Sequence, residues 1–130
     1  MKTIIATTNA PTAIGPYSQA VKADNNAGQT VYCSGQLGID MATGQLADGF
    51  EAQATHMFKN IKALVEASGG TLNNVVKITL FLTDMTQFPK VNEIMAQNFT
   101  QPYPARSTVG VASLPKGGLV EGEVIVVLGQ

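Results

Sequence analysis

The chain contains a single arginine, Arg106, in the stretch PYPARSTVG, whereas its other basic residues are lysines. A guanidinium presents five N–H donors in a rigid plane and can grip a carboxylate or phosphate at two points. Glu121 and Glu123 open the apolar segment VEGEVIVVL that follows. An arginine near a carboxylate could bind an anion while the acid handles water or a proton. A structural Arg–Glu ion pair is the alternative, and the spacing alone does not choose between them.

Two predicted strands carry these charged residues, Arg106–Val111 and Val120–Leu128, with the turn-rich segment LPKGG between them. Side chains alternate across a strand, so Arg106 and Thr108 share one face of the first strand. Glu121 shares a face with every second residue of the other strand. We expect the two strands to be neighbours, which would bring the arginine and the acid together.

Other residues that could do chemistry have simpler interpretations. His56 lies beside core positions of a predicted helix and is interpreted as a surface or packing residue. Cys33 lies within a predicted strand and behaves as a small buried apolar residue. His and Cys do not cluster, so no zinc or redox-metal site is predicted. The hydroxyls of Tyr17 and Ser34 could serve a site or be structural.

Composition limits the classes of function. The 130 residues fit one domain, 1–130, that buries a core without disulfide or metal. A net charge of −1 with no basic cluster disfavours nucleic-acid binding as the main task. The lone cysteine fits a reducing compartment, and the N-terminal apolar run is too short for a signal peptide or a membrane span. We therefore expect a cytoplasmic protein without membrane contact.

Hydrophobic periodicity predicts a hairpin near the N-terminus and then a helix. The hairpin strands are expected at Gln19–Ala23 and Thr30–Ser34, joined by a turn at Asn25–Gly28. The helix is expected to start with a capping box formed by Asp48 and Glu51. The segment Ser68-Gly69-Gly70 is expected to end it.

The second half of the chain predicts a buried strand, a second helix and the two strands described above. Val75–Leu82 is β-branched and apolar, which indicates a central strand covered on both faces. Thr83-Asp84 opens a helical region with Pro89 in its first turn and with a buried stripe at Val91, Ile94, Met95 and Phe99. The elements predict an α+β domain whose sheet carries two helices on one face. The uncovered face argues for an oligomer.

Four segments together resemble the RidA/YjgF family of reactive-intermediate (enamine/imine) deaminases. They are AIGPYSQAV, CSGQLGID followed by Thr43-Gly44, VVKITLFLTDM with its downstream F and VN, and PARSTV followed by LPK and VEGE. The resemblance covers nearly the whole chain in order. It implies a chorismate-mutase-like α+β fold with a mixed, mostly antiparallel sheet, assembled as a homotrimer with clefts between subunits.

The resemblance also implies a cofactor-free reaction and roles for individual residues. Small 2-imino acids, such as 2-aminoacrylate and 2-iminobutanoate, would be hydrolysed to 2-keto acids and ammonia. Arg106 would clamp the substrate carboxylate with help from the backbone N–H of Thr108, and Glu121 would position the attacking water. Other pocket positions match Tyr17, Ser34 and Gly35, and Phe88 matches an aromatic residue supplied by a neighbouring subunit.

The sequence departs from the family pattern at Gly110, which stands where a glutamate is common. This removes a charge near Arg106 and Glu121 and adds local flexibility. Two other functions remain open at this point. One is a non-catalytic sensor that binds small 2-keto acids in the same cleft, which would need Arg106 but not Glu121. The other is an RNA-directed role, which the charge balance disfavours.

Overall fold

A computed structural model describes residues 2–26 and 28–129 of the chain. Within these residues, seven strands form one mixed sheet in the order β1-β2-β3-β9-β7-β8, with β4 paired to β9, and β5 and β6 form a separate hairpin. Among the strand pairs of the described residues, only β7–β8 is parallel. The strands are β1 (Lys2–Ile5), β2 (Ala20–Asn25), β3 (Gly28–Cys33), β4 (Gln36–Leu37), β5 (Ile39–Asp40), β6 (Gln45–Leu46), β7 (Val75–Leu82), β8 (Ala105–Gly110) and β9 (Val120–Leu128).

Two helices, α1 (Phe50–Ala67) and α2 (Phe88–Asn98), pack on one face of the sheet. Every second residue of β9 is buried beneath them, because alternate side chains of a strand point to the same face. From α1, Met57, Phe58, Ile61 and Leu64 are fully buried against the sheet. Burying a side chain of this size stabilises the fold by roughly 1.5–3 kcal/mol. The predicted α+β fold is confirmed.

The last two strands are not neighbours, so the predicted pairing of β8 with β9 is wrong. Strand β7 lies between them, parallel to β8 and antiparallel to β9. Helix α2 makes the crossover that a parallel β7–β8 pair requires. The nine residues 111–119 between β8 and β9 pass across the end of β7. The alternation within each strand was read correctly, but it carries no information about which strand pairs with which.

Strand β7 is covered on its helix side only, at Val75, Ile78, Leu80 and Leu82. Val76 on the same strand is 46% exposed. The predicted burial of both faces is therefore wrong for the single chain, where the face of the sheet away from the helices is open. A run of β-branched residues gives the same sequence signal whether its second face is covered within one chain or between chains.

The helix boundaries follow the sequence signals except at the start of α1. The N-cap is Gly49, with no side-chain cap, so the predicted capping box of Asp48 and Glu51 is wrong. Ser68 ends the helix as predicted, and Gly69 follows with a left-handed φ of 99°. No helix within the described ranges has the length and apolar character needed to cross a bilayer.

Helix α2 starts as predicted, with Pro89 in its first turn. Asp84 caps the short 3₁₀ turn Met85–Gln87 that leads into it, accepting from the backbone N–H of Thr86. The predicted buried stripe is confirmed at Val91, Ile94, Met95 and Phe99.

The N-terminal hairpin is confirmed with small shifts, as β2 and β3. The predicted turn at Asn25–Gly28 includes Ala27, which lies outside the described residues. Strand β1 was not predicted, because three of its four residues are exposed on an edge of the sheet and show no alternation. Strands β4, β5 and β6 are two residues long and leave no periodic signal.

Candidate active site

A cavity of about 760 Å³ contains most of the polar residues singled out by the sequence. Tyr17, Ser34, Gly35, Glu121 and Glu123 all line it, and we call it the acidic cavity. The loop between β1 and β2, the β3–β4 connection and β9 bring these residues together from positions more than a hundred residues apart. Apolar side chains complete the lining, among them Ile14, Leu37, Ile39 and Met41.

Glu121 is the second residue of β9 and is held between two strands. It pairs with Leu37 of β4 on one side and with Phe81 of β7 on the other. Burial raises the pKa of its carboxyl group above the ordinary value, and the like charge of Glu123 raises this pKa further. Glu121 is thus a carboxylate that takes up a proton more readily than an exposed glutamate does.

Gly35 provides the surface on which the Glu121 carboxylate lies. A Cβ atom built on Gly35 would overlap Oε2 of Glu121. The carboxylate therefore lies against the bare backbone of residue 35, in a position that any other side chain would occupy. This gives a physical reason for a glycine at this place in the pocket.

The hydroxyl of Tyr17 can still donate a hydrogen bond, whereas the hydroxyl of Ser34 can still accept one. The Tyr17 hydroxyl oxygen accepts from the backbone N–H of Ile14 at 3.2 Å, which leaves its own O–H free to donate. The Ser34 hydroxyl donates to the carbonyl of Ser18 at 2.5 Å, which leaves its lone pairs free to accept. Tyr17 and Ser34 thus add a neutral donor and a neutral acceptor to the cavity, beside the acids.

Arg106 lies elsewhere, in a group that we call the arginine cluster, with Phe88, Asn92 and Met95 of α2. Its Nη1 donates to Oδ1 of Asn92 at 2.6 Å and contacts Sδ of Met95 at 3.7 Å. Its Cζ lies 5.2 Å from the centre of the Phe88 ring. These partners orient the guanidinium and contribute a cation–π attraction, but they do not neutralise its charge.

The ion-pair alternative for Arg106 is wrong within this chain. Among residues 2–26 and 28–129, the salt bridges join His56 to Asp40 and Lys90 to two glutamates, and none includes Arg106. A half-buried guanidinium that no carboxylate neutralises is well suited to an incoming anion.

Thr108 lies two residues further along β8, beside the arginine. The N–H of Val111 donates to the carbonyl of Leu82 on β7 at 2.9 Å. Peptide groups alternate in direction along a strand, so the N–H of Thr108 points to the opposite side, at the open edge of the sheet. The Oγ1 atom of Thr108 is buried without a hydrogen-bond partner.

Arg106 and Glu121 lie on opposite faces of the sheet, so one chain does not bring them into one cleft. Arg106 pairs with Ile78 of β7, which is fully buried on the helix face. Glu121 pairs with Phe81, three positions along β7 and hence on the other face. Phe88, matched by the resemblance to a neighbouring subunit's aromatic residue, lies beside Arg106 of its own chain.

Sequence reasoning missed Asn92 and Met95, which hold the arginine. A signal was present, because Phe88, Asn92 and Met95 are spaced i, i+4 and i+7 and therefore share one face of a helix.

Gly110, at the end of β8, lies close to the Met85 side chain, whose Cγ would be 2.9 Å from a Cβ at that position. A larger residue at 110 would have to displace Met85. No group of three His, Cys, Asp or Glu side chains in the described ranges is placed to hold a metal ion.

Comparison with known proteins gives matches along nearly the whole chain. A family model described as Endoribonuclease L-PSP matches residues 7–128. A 2-iminobutanoate/2-iminopropanoate deaminase of Dermatophagoides farinae is 48% identical over 128 residues, which cover 98% of this chain and 97% of that protein. A Bos taurus protein of the same name is 48% identical over 130 residues, covering 99% of this chain and 92% of that protein.

Solved structures agree with the sequence relatives. The crystal structure of RidA from an Antarctic Psychrobacter species has a TM-score of 0.91 and 53% identity, covering 97% of this chain and 99% of that chain. The crystal structure of E. coli TdcF with bound serine has a TM-score of 0.88 and 38% identity, covering 98% of this chain and 99% of that chain. With these matches in sequence and fold, the chain belongs to the RidA/YjgF/L-PSP (Rid) family.

Proposed function

We propose that the protein hydrolyses small 2-imino acids, such as 2-iminobutanoate and the imine of 2-aminoacrylate, to 2-keto acids and ammonia. The observation that carries the proposal is Arg106, an oriented guanidinium without an acid partner among the described residues of its own chain. Relatives named as 2-iminobutanoate/2-iminopropanoate deaminases at 48% identity support it. A cytoplasmic enzyme without a cofactor remains our prediction.

The site would be built from two copies of the chain. The acidic cavity of one copy would supply Glu121, Tyr17 and Ser34, and the arginine cluster of another would supply Arg106 and the N–H of Thr108. This is a contact between two different surfaces, which must either close into a ring or extend into a filament. A ring of three copies, implied by the family resemblance, would contain three equivalent sites.

In such a site the substrate carboxylate would lie against the guanidinium in two-point contact. That contact fixes the plane of the carboxylate, and thereby directs the neighbouring imine carbon towards one water molecule. The edge-facing N–H of Thr108 would add a third donor to the same carboxylate.

Glu121 would carry the proton. As the water oxygen bonds to the imine carbon, the C=N electron pair moves to nitrogen, and the carboxylate accepts the proton that the water releases. Glu121 then returns this proton to nitrogen. Glu121 next takes the remaining hydroxyl proton and passes it to nitrogen, so the carbon–oxygen double bond forms as the carbon–nitrogen bond breaks, and ammonia leaves with both water protons. A raised carboxyl pKa suits both steps, because it brings the acid and base forms closer in free energy near neutral pH.

The direct test adds the purified chain to a threonine dehydratase reaction and follows the release of 2-ketobutyrate. We expect release to accelerate in proportion to the amount of chain added, and we expect Glu121→Gln to abolish this acceleration. A thermal shift with 2-ketobutyrate, run beside it, addresses the sensor alternative. Binding without any acceleration would replace the deaminase by a non-catalytic binding protein.

A further inference from the structure

Gln53 is a buried side chain that connects two distant segments of the chain. It lies near the start of α1 and is 5% exposed. Its Oε1 accepts from the backbone N–H of Leu119 at 2.9 Å, and its Nε2 donates to the carbonyl of Ala47 at 3.0 Å. Both ends of the amide are therefore used, each by a different segment.

Both segments contribute walls to the acidic cavity. One wall is residues 37–47, from which Leu37, Ile39, Met41 and Gly44 line the cavity. The other begins with Pro115 and Lys116, passes through Leu119, and leads two residues later to Glu121. Through Gln53, a single amide couples the backbone just before Glu121 to the end of the wall formed by residues 37–47.

The same face of α1 attaches the first wall at two further points. Asn60, also buried, donates from Nδ2 to the carbonyls of Leu37 and Ile39 at 3.2 and 2.9 Å. His56 Nε2 lies 3.8 Å from Oδ2 of Asp40. Gln53, His56 and Asn60 are spaced i, i+3 and i+7, so they form one polar stripe on the helix.

Residues 37–47 also approach the helix too closely for a side chain at residue 38. A Cβ atom on Gly38 would overlap the backbone of Gln53. Because backbone atoms cannot move aside as the tip of a side chain can, this contact fixes the distance between the wall and α1. The residue whose side-chain amide bonds Ala47 is therefore also the residue whose backbone Gly38 contacts.

We propose that Gln53 is a positioning residue for the reaction, coupling the backbone that places Glu121 to the wall that closes the substrate cavity. The proposal rests on the proposed deaminase function. The bond to Leu119 determines where the Glu121 carboxylate lies, and so acts on the chemical step. The bond to Ala47 holds the wall of residues 37–47, and so acts on substrate binding.

Three variants separate these effects. Gln53→Met keeps the length of the side chain and loses both hydrogen bonds. Gln53→Glu keeps an acceptor for Leu119 and, once ionised, has no donor for Ala47. The control is Ser68→Ala at the other end of α1, where a side chain that is 1% exposed loses its hydrogen bond to the Val65 carbonyl, away from the cavity.

Turnover and KM are then compared per folded molecule. We expect Gln53→Met to lower kcat by about tenfold and to raise KM, since one buried hydrogen bond is worth roughly a tenfold change. Gln53→Glu should restore most of kcat while KM stays raised, and Ser68→Ala should change neither. If Gln53→Met and Ser68→Ala have the same kcat and KM, Gln53 is only a structural residue and the proposal fails.

Hydrogen exchange of the Leu119 amide gives a measurement that does not depend on activity. Exchange should become faster in Gln53→Met and stay slow in Gln53→Glu and Ser68→Ala. Unchanged exchange in Gln53→Met would overturn the coupling even if the enzyme is active. Absence of turnover by the wild-type chain would instead overturn the proposed function, and the exchange result would still report whether the contact exists.

Discussion

Arg106 and Glu121 lie on opposite faces of one sheet, with β7 between the strands that carry them. The guanidinium contacts α2 on the covered face, whereas the carboxylate lies in the acidic cavity. Under the proposed function, a small substrate that contacts both groups would therefore lie between two copies of the chain.

Mixing two inactive variants tests this arrangement. Arg106→Ala and Glu121→Gln should each be inactive alone. When copies are exchanged in equal amounts, about one quarter of the inter-copy sites receive an intact Arg106 from one variant and an intact Glu121 from the other. We expect about that fraction of wild-type activity, measured after mild denaturation and reassembly. No recovery in reassembled, exchanged oligomers would place both residues of each site in the same chain.

Replacing the arginine by lysine tests the two-point grip. Arg106→Lys should lower kcat/KM by at least about 30-fold, equivalent to roughly 2 kcal/mol, because an ammonium cannot bond both carboxylate oxygens in one plane. Lys62→Arg on the exposed side of α1 is the control for a lysine–arginine exchange and should have no effect. Equal kcat/KM for Arg106→Lys and wild type would contradict the clamp.

Changing Asn92 tests whether Arg106 must stay free of an acid partner. Asn92→Asp would place a carboxylate where Oδ1 now lies, 2.6 Å from Nη1. This internal acid would compete with the substrate, so we expect KM to rise by about tenfold or more, with a smaller effect on kcat. Asn92→Ala, which removes the orienting bond without adding charge, should raise KM less. The prediction fails if the two variants have the same KM.

Gly35→Ala tests whether the Glu121 carboxylate must lie against the bare backbone of residue 35. The new Cβ would push Oε2 away, and because this is the mobile tip of a side chain, the melting temperature should change little. Turnover should fall by roughly 100-fold, the effect expected when a catalytic group is displaced by about 1 Å. Gly129→Ala, where a Cβ meets no atom within 4 Å, is the matched control. A variant with normal kcat would show that Glu121 does not need its present position.

The pH dependence of activity tests the role of Glu121 as a base. Burial and Glu123 raise the pKa of Glu121 above 4.5, so activity should rise with pH through that raised pKa as the carboxylate ionises. Glu123→Gln removes one of the two causes and should move this acidic limb to lower pH. An acidic limb that does not move in Glu123→Gln would assign it to a different group.

The raised pKa of Glu121 also predicts how the stability of the fold changes with pH. Because the folded pKa of Glu121 is raised, the folded state binds this proton more tightly than the unfolded state. The contribution of Glu121 is thus most favourable below 4.5 and is lost as pH rises through the raised pKa. The melting temperature of Glu121→Gln should rise relative to that of wild type as pH increases from below 4.5 through the raised pKa. If the difference in melting temperature between Glu121→Gln and wild type does not change with pH, the raised pKa of Glu121 is contradicted.

Much of the fold could be predicted because its signals are local. Helix α2 begins near Pro89, and its buried stripe repeats with helical spacing, so sequence and structure agree there. The start of α1 shows the limit of a local motif, since Asp48 and Glu51 have capping-box spacing but Gly49 occupies the N-cap. Short strands such as β4 depend on tertiary pairing with β9 and leave no pattern of their own.

The sequence by itself determined which residues are unusual: one arginine and a pair of acids opening a strand. Gly35 was singled out only by the family resemblance. The sequence also determined which side chains share a face of a strand, because alternation is a property of the single chain. Only the tertiary structure decided that β7 separates Arg106 from Glu121, that Asn92 holds the guanidinium, and that Gly35 makes room for the carboxylate. Strand order and contacts between distant segments depend on packing across the whole sheet, and no local pattern contains them.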